Sequence, residues 1–398
     1  MIHTLSLFLI GSLHIMIFSF FSYRDNFLLG HDFEQYSLIT KCILYGCAVS
    51  VAFCHQFICR RIGLKRSLIL GLFFNVIGLT SLLLSHLTLS YREVAVTFLF
   101  LDMIFFGVAL TSVINSLISY VVLEFSTKLS AAMTALFIFF NLGVMLSPLT
   151  LGLLQLQGMH WLPYPILIAL LFLSIWYVSK FFFDPVYPPH IEHLRKSSLI
   201  WIELHYRLVL IVLAVLCYGM IEDTFSEWGY LHLRQLFGET AADKTNSIFW
   251  LFEIIGQVLL IVPLFFIPVR RIFFFLIAFI LAGLILFPLQ TELKGFLLAL
   301  MLGGIGCSAI FPLLLSMIEG ELKTAAFISH KDFILPYIET GTSAMVGFYF
   351  TGIGIVEIWV DWAEVASIAP YFYLAIGLTV LMVALVSYFN WTRIVSKP

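Results

Sequence analysis

Three acids, Glu222, Asp223 and Glu227, fall within six positions of the stretch "GMIEDTFSEWGY". They follow directly on the apolar run "LVLIVLAVLCY". An acid in such a place has few uses. It can carry a proton, hold a cationic group of a solute, or pair with a base on a neighbouring segment. Other acids inside apolar runs are scarce: Asp102, Glu253, and Glu339 in "PYIETGTSAMVG". His14, Thr111, Asn115, Asn141 and Tyr218 add polar groups to otherwise apolar stretches, suited to bind a solute or to join helices by hydrogen bonds.

The composition says what must position them. Of 398 residues, 61% are hydrophobic and 11% charged, and the mean hydropathy is +1.04. Such a surface belongs in a bilayer. A net charge of −2 and the lack of a basic tail give nucleic acid no purchase. No nucleophile–base constellation, His-rich metal spacing or Gly-rich phosphate loop is present, so neither an enzyme, a metal nor a cofactor is expected. The six cysteines lie in or beside apolar segments without a CxxC pair, as packing residues do. The first run, "IHTLSLFLIGSLHIMIFSFFS", has no basic flank and no small-x-small cleavage site after it, so it reads as a retained first transmembrane helix.

Crossing the hydrocarbon takes about 20 apolar residues. Twelve such runs lie near 2–22, 36–59, 67–89, 94–123, 130–157, 163–183, 207–230, 246–268, 271–289, 294–318, 333–357 and 367–391. The fold class is therefore an all-α membrane protein of twelve transmembrane helices in two pseudo-symmetric six-helix bundles, 1–183 and 207–398. The polar stretch 184–206 reads as a cytoplasmic linker, with "SSLIWIEL" lying on the membrane surface. With the N-terminus in the cytoplasm, 15 of the 21 Lys and Arg fall at inner ends and 6 on the outer side. Both termini are then cytoplasmic, and the short loops suit a bacterial inner membrane and a monomer.

The halves look related. "GCAVSVAFCHQFICRR" (46–61) lines up with "GQVLLIVPLFFIPVRR" (256–271), and "FFGVALTSVINSLISYVVLE" (105–124) with "LGGIGCSAIFPLLLSMIEGE" (302–321). The second pair matches Ser119 with Ser316 and Glu124 with Glu321. The same repeat sets His14 opposite Glu222 and Asn141 opposite Glu339. Parallel repeats of this kind build transporters that bind their solute at middle depth.

The turn "CRRIGLKRSLILG" (59–71) resembles the signature between helices 2 and 3 of the major facilitator superfamily. Arg61, Gly63, Lys65 and Arg66 fit it, and Arg60 stands where the family has Asp. Within that superfamily the chain resembles the fucose–proton symporter and TsgA-like group. The stretches concerned are 131–154, "YGMIEDTFSEWGYLHL" (218–233) and "SIFWLFEIIGQ" (247–257). In the last, Phe252 replaces a Gly and Gln257 an Arg. Helix 1 lacks the group's acid, and Thr111 stands at the acid position of helix 4. The resemblance implies secondary transport by alternating access without implying fucose. Glu124 and Glu321, at inner helix ends near the basic turns, read as structural or gating partners of Arg61 and its counterparts.

Depth separates the three opening acids. Counted from Leu208 at 1.5 Å per residue, Glu222 lies about 21 Å and Glu227 about 29 Å from the inner face, in hydrocarbon about 30 Å thick. Glu227 is thus at the rim, where Trp228 and Tyr230 suit an interfacial belt. Tyr218, Glu222 and Ser226 share a polar face that should look into the bundle. Asp223 points about 100° away, to line a cavity edge or meet a base. The expected function is a secondary transporter of a small polar solute with the proton as coupling ion, in which Glu222, with Glu339 or Glu253, carries the coupling proton or a cationic group of the solute. Export of a drug-like or siderophore-like molecule, or a non-transporting sensor, are the alternatives.

Overall fold

The apolar runs fold as helices because a segment in lipid must satisfy its backbone internally. In the computed structural model the backbone is described for residues 2–28, 36–125, 128–156, 162–185, 198–318, 334–362 and 369–395. Side chains are described within 4–17, 36–125, 128–147, 162–185, 206–238, 242, 247–318, 340–360 and 370–391. Twelve helical segments occur among the described residues, and no strand.

The first six are α1 (Ile2–Leu28), α2 (Ser37–Ile62), α3 (Leu64–Leu87), α4 (Arg92–Glu124), α5 (Leu129–Leu156) and α6 (Pro163–Phe181). Next, α7 joins Ser198–Asp223, a π-helical turn Thr224–Trp228, and Gly229–Phe237. The helix α8 is Glu239–Ile261, extended by Pro263–Phe266. Then come α9 (Val269–Leu286), α10 (Leu293–Ile318), α11 (Ile334–Trp362) and α12 (Ala369–Val395). Eleven of them hold a stretch long and apolar enough to cross a membrane, and the described part of α1, Thr4–Ile17, is a shorter apolar helix.

One boundary differs from expectation. The backbone runs as an unbroken helix from Ser198 to Asp223, so "SLIWIEL" (198–204) is helically continuous with α7. Nothing between Ile202 and Val209 breaks a helix: the stretch has no Gly or Pro.

The chain divides into two units. The first holds Met1–Tyr120 and Phe139–Val186, and the second Val121–Ile138 and Tyr187–Pro398. Burial sorts the helices within them. In α7 and α10, 72% of the span is buried, against 22% in α6. The exposed large side chains, such as Phe57, Leu259 and Phe266, are those of a lipid-facing surface.

Candidate functional site

The site in the second unit begins with two glycines. At Gly219 of α7 a Cβ would stand 2.6 Å from the Tyr349 carbonyl oxygen, and at Gly352 of α11 it would stand 2.5 Å from the Leu216 carbonyl oxygen. Only glycine lets the two backbones touch this closely. That approach lets the Tyr349 side chain reach across, and its hydroxyl donates to Glu222 Oε2 at 2.8 Å. Tyr218, one turn before Glu222, stacks on Tyr349 with ring centroids 6.0 Å apart and donates to the Cys307 carbonyl oxygen of α10 at 3.0 Å. Glu222 is 5% exposed. Among the described residues its carboxylate accepts from a phenol and from no base.

The π-helical turn follows at once. Ser226 donates to Asp223 Oδ1 at 3.0 Å. Asp223 meets acids: its carboxylate, that of Glu227 and that of Glu357 in α11 bring oxygens within 4.8 Å of one another. Trp228 is not a belt residue. It is 1% exposed and stacks on Tyr371 of α12 at 3.6 Å, a placement that buries a large aromatic surface. In α8, Gln257 donates to Glu253 Oε1 at 3.4 Å, both side chains being buried.

The first unit is built differently. His14 Nε2 lies 3.1 Å from the Leu110 carbonyl oxygen and must donate to it, so its Nδ1 accepts from Asn75 Nδ2 at 2.6 Å. Both ring nitrogens are engaged. Thr111 donates to the Ala48 carbonyl oxygen of α2 at 2.9 Å. Asp102 is buried against α3, 3.0 Å from where a Cβ on Gly78 would stand. Asn115 is fully buried, and neither atom of its amide has a hydrogen-bond partner among the described residues. Asn141 is buried in α5. Glu339 lies on α11, with its side chain outside the described residues, and Glu321 lies outside them altogether.

At the turn between α2 and α3, Gly63 has φ +89°, a conformation that favours glycine. Its N–H donates to the Cys59 carbonyl oxygen at 2.8 Å. The Asp184 carboxylate occupies the space a side chain there would fill, 3.0 Å from the Cβ position. Arg61, Arg66 and Glu124 are exposed and Lys65 is half-buried. Just inside the turn, buried His55 Nε2 lies 3.1 Å from Ser116 Oγ and 3.2 Å from Ser67 Oγ, tying α2, α3 and α4 together.

The structure thus brings Glu222 and Tyr218 together and sets Glu253 with Gln257. Tyr349, Asn75, Glu357 and the His55 group were not singled out from sequence. The pairing of small residues, Gly219 and Gly352, is the one local signal that could have pointed to the α7–α11 contact.

Comparison with known proteins agrees with this fold. The family model described as Major Facilitator Superfamily matches residues 3–329. A crystal structure of the transporter FucP in the outward conformation matches with a TM-score of 0.73 at 14% identity, covering 98% of this chain and 99% of that one. A structure of a variant of the E. coli fucose:proton symporter FucP matches with a TM-score of 0.73 at 15% identity, covering 98% of each chain. No curated protein matches the chain. At this identity the two structures establish the shared fold, and the family match establishes membership. The chain is an integral, multi-pass membrane protein and a transporter, not an enzyme, and it belongs to the major facilitator superfamily.

Proposed function

We propose that the chain is a proton-coupled secondary transporter of a small polar solute, working by alternating access, with Glu222 as the carrier of the coupling proton. The observation that supports this most is the Glu222–Tyr349 hydrogen bond within the α7–α11 contact. A carboxylate there can be neutralised by a proton and discharged again, while the phenol keeps its position in both states. The hydroxyl can donate to the charged carboxylate and accept from the protonated one. The moving parts in this reading are the six-helix halves 1–183 and 207–398 with the linker 184–206, both termini cytoplasmic, in a bacterial inner membrane, as a monomer. The fucose:proton symporter that shares the fold is proton-coupled by its description. The absence of a central acid in α1 and the threonine at position 111 separate this chain from a copied sugar mechanism.

The test is solute-driven proton movement in proteoliposomes holding a pH-sensitive dye. Sugars, amino acids, nucleosides, polyamines and iron chelators are added in turn. The reading expects at least one solute to move protons with it, and Glu222→Gln to abolish that movement. Solute flux without proton movement, or a coupled flux unchanged in Glu222→Gln, would refute it.

A further inference from the structure

Asp223, Glu227 and Glu357 form a second acidic group, apart from the Glu222–Tyr349 pair. Asp223 and Glu227 lie on α7 across the π-helical turn, and Glu357 comes from α11, 135 residues away from Glu222 in the chain. One oxygen from each carboxylate lies within 4.8 Å of the other two. Like charges brought together in this way repel, and the membrane around them screens little.

A separate observation concerns Asp223 itself. Its side chain is 7% exposed, so more than nine-tenths of it is buried. Its Oδ1 accepts from Ser226. Its Oδ2 is buried without a hydrogen-bond partner among the described residues. A buried carboxylate oxygen is rarely left in that condition, and a ligand is one way to satisfy it. The spacing says which ligand. Calcium holds oxygens at about 2.3–2.6 Å, so any two oxygens on one ion lie no more than about 5 Å apart. All three pairs meet that condition. The donors are hard oxygens, which suit calcium-class cations and not thiophilic metals.

We propose that Asp223, Glu227 and Glu357 bind a hard divalent cation of the calcium class, which ties α7 to α11 beside the π-helical turn. Three carboxylates supply part of a shell of six to eight oxygens and water the rest. The cation brings positive charge to the three carboxylates and offsets their mutual repulsion. The proposal does not depend on proton coupling at Glu222.

The test uses the full chain, purified in detergent and stripped with a chelator. Calcium chloride is titrated while thermal unfolding is followed, with choline chloride and sodium chloride at matched ionic strength as controls. Radioactive calcium in equilibrium dialysis gives the stoichiometry. The proposal expects one ion per chain and a saturable rise in melting temperature, as for any ligand of the native state. Asp223→Asn should abolish both. Glu357→Gln, at a half-buried position that folds more readily, should weaken binding by about tenfold or more. Glu222→Gln should leave binding intact, which separates this site from the coupling site. A rise equal in choline chloride would mean charge screening and overturn the proposal. So would a rise with sodium alone, no bound calcium in the wild type, or full binding in Glu357→Gln.

Discussion

The two units place comparable polar groups at comparable helices and do opposite things with them. In the first, His14 on α1 is fixed on both sides, by the Leu110 carbonyl and the Asn75 amide. The same unit also holds a buried acid, Asp102, packed against Gly78 of α3. In the second, the repeat-related position on α7 carries Glu222, whose hydrogen-bond partner is the Tyr349 hydroxyl. A hydroxyl serves both protonation states of its partner, whereas His14 sits with Nε2 on the Leu110 carbonyl and Nδ1 on the Asn75 amide nitrogen. The first unit thus has a polar joint held on both sides, and the second a carboxylate held by a hydroxyl. On the proposed reading, the coupling chemistry belongs to α7 and α11.

The largest effect that could break this comparison is on coupling. Glu222→Gln should abolish solute-driven proton movement, while His14→Gln should retain it, both read with the dye assay. Next comes the backbone contact that holds the site. Gly219→Leu forces atoms into the space of the Tyr349 carbonyl, and overpacking of this kind typically costs about 1–3 kcal/mol. It should lower the melting temperature and lose coupled movement together. Third, Tyr349→Phe removes one hydrogen bond to an ionisable group, worth about 1.5–3 kcal/mol when the partner is charged. It should change the pH dependence of coupled movement without unfolding the protein. In the first unit, Asn75→Leu leaves His14 Nδ1 without its donor, at a cost of about 1–3 kcal/mol. It should lower the melting temperature and leave the pH dependence of movement unchanged. Smallest is Gly63→Ala, where a positive φ disfavours any side chain by about 1 kcal/mol and Asp184 fills the space. A small loss of thermal stability, larger than that of Arg66→Ala on the exposed side of the same turn, is the expected result.

How much of this was legible before the structure depends on sequence distance. The apolar runs could be counted because lipid imposes helices of a set length, and each run matches a helix within several residues. The start of α7 was missed because polar composition, which marks a loop, does not stop a helix that has no Gly or Pro. Glu222 stood out by its rarity and depth. Its partner did not, because Tyr349 lies 127 residues away in "VGFYFTG", where nothing local distinguishes one aromatic residue from the next. Asn75 was hidden from His14 in the same way, 61 residues off. Glu253 and Gln257 are four apart on α8, a spacing that could have been read directly. The repeat alignment paired Gly107 with Gly304, and both sit where their helix crosses a neighbour's backbone, at Leu44 and at Phe249. What the alignment could not carry was chemistry, since it pairs a histidine held on both sides with a carboxylate held by a hydroxyl.

The most direct measurement needs no solute. The full chain is reconstituted in lipid, and its infrared difference spectrum is recorded as the buffer is acidified. Protonation of a buried carboxylate produces its own carbonyl-stretch band, and hydrogen bonding sets that band's frequency. A band missing in Glu222→Gln, shifted in Tyr349→Phe and unchanged in His14→Gln is the result predicted here. A spectrum in which Glu222→Gln keeps every buried-carboxyl band would contradict it and move the titrating group elsewhere.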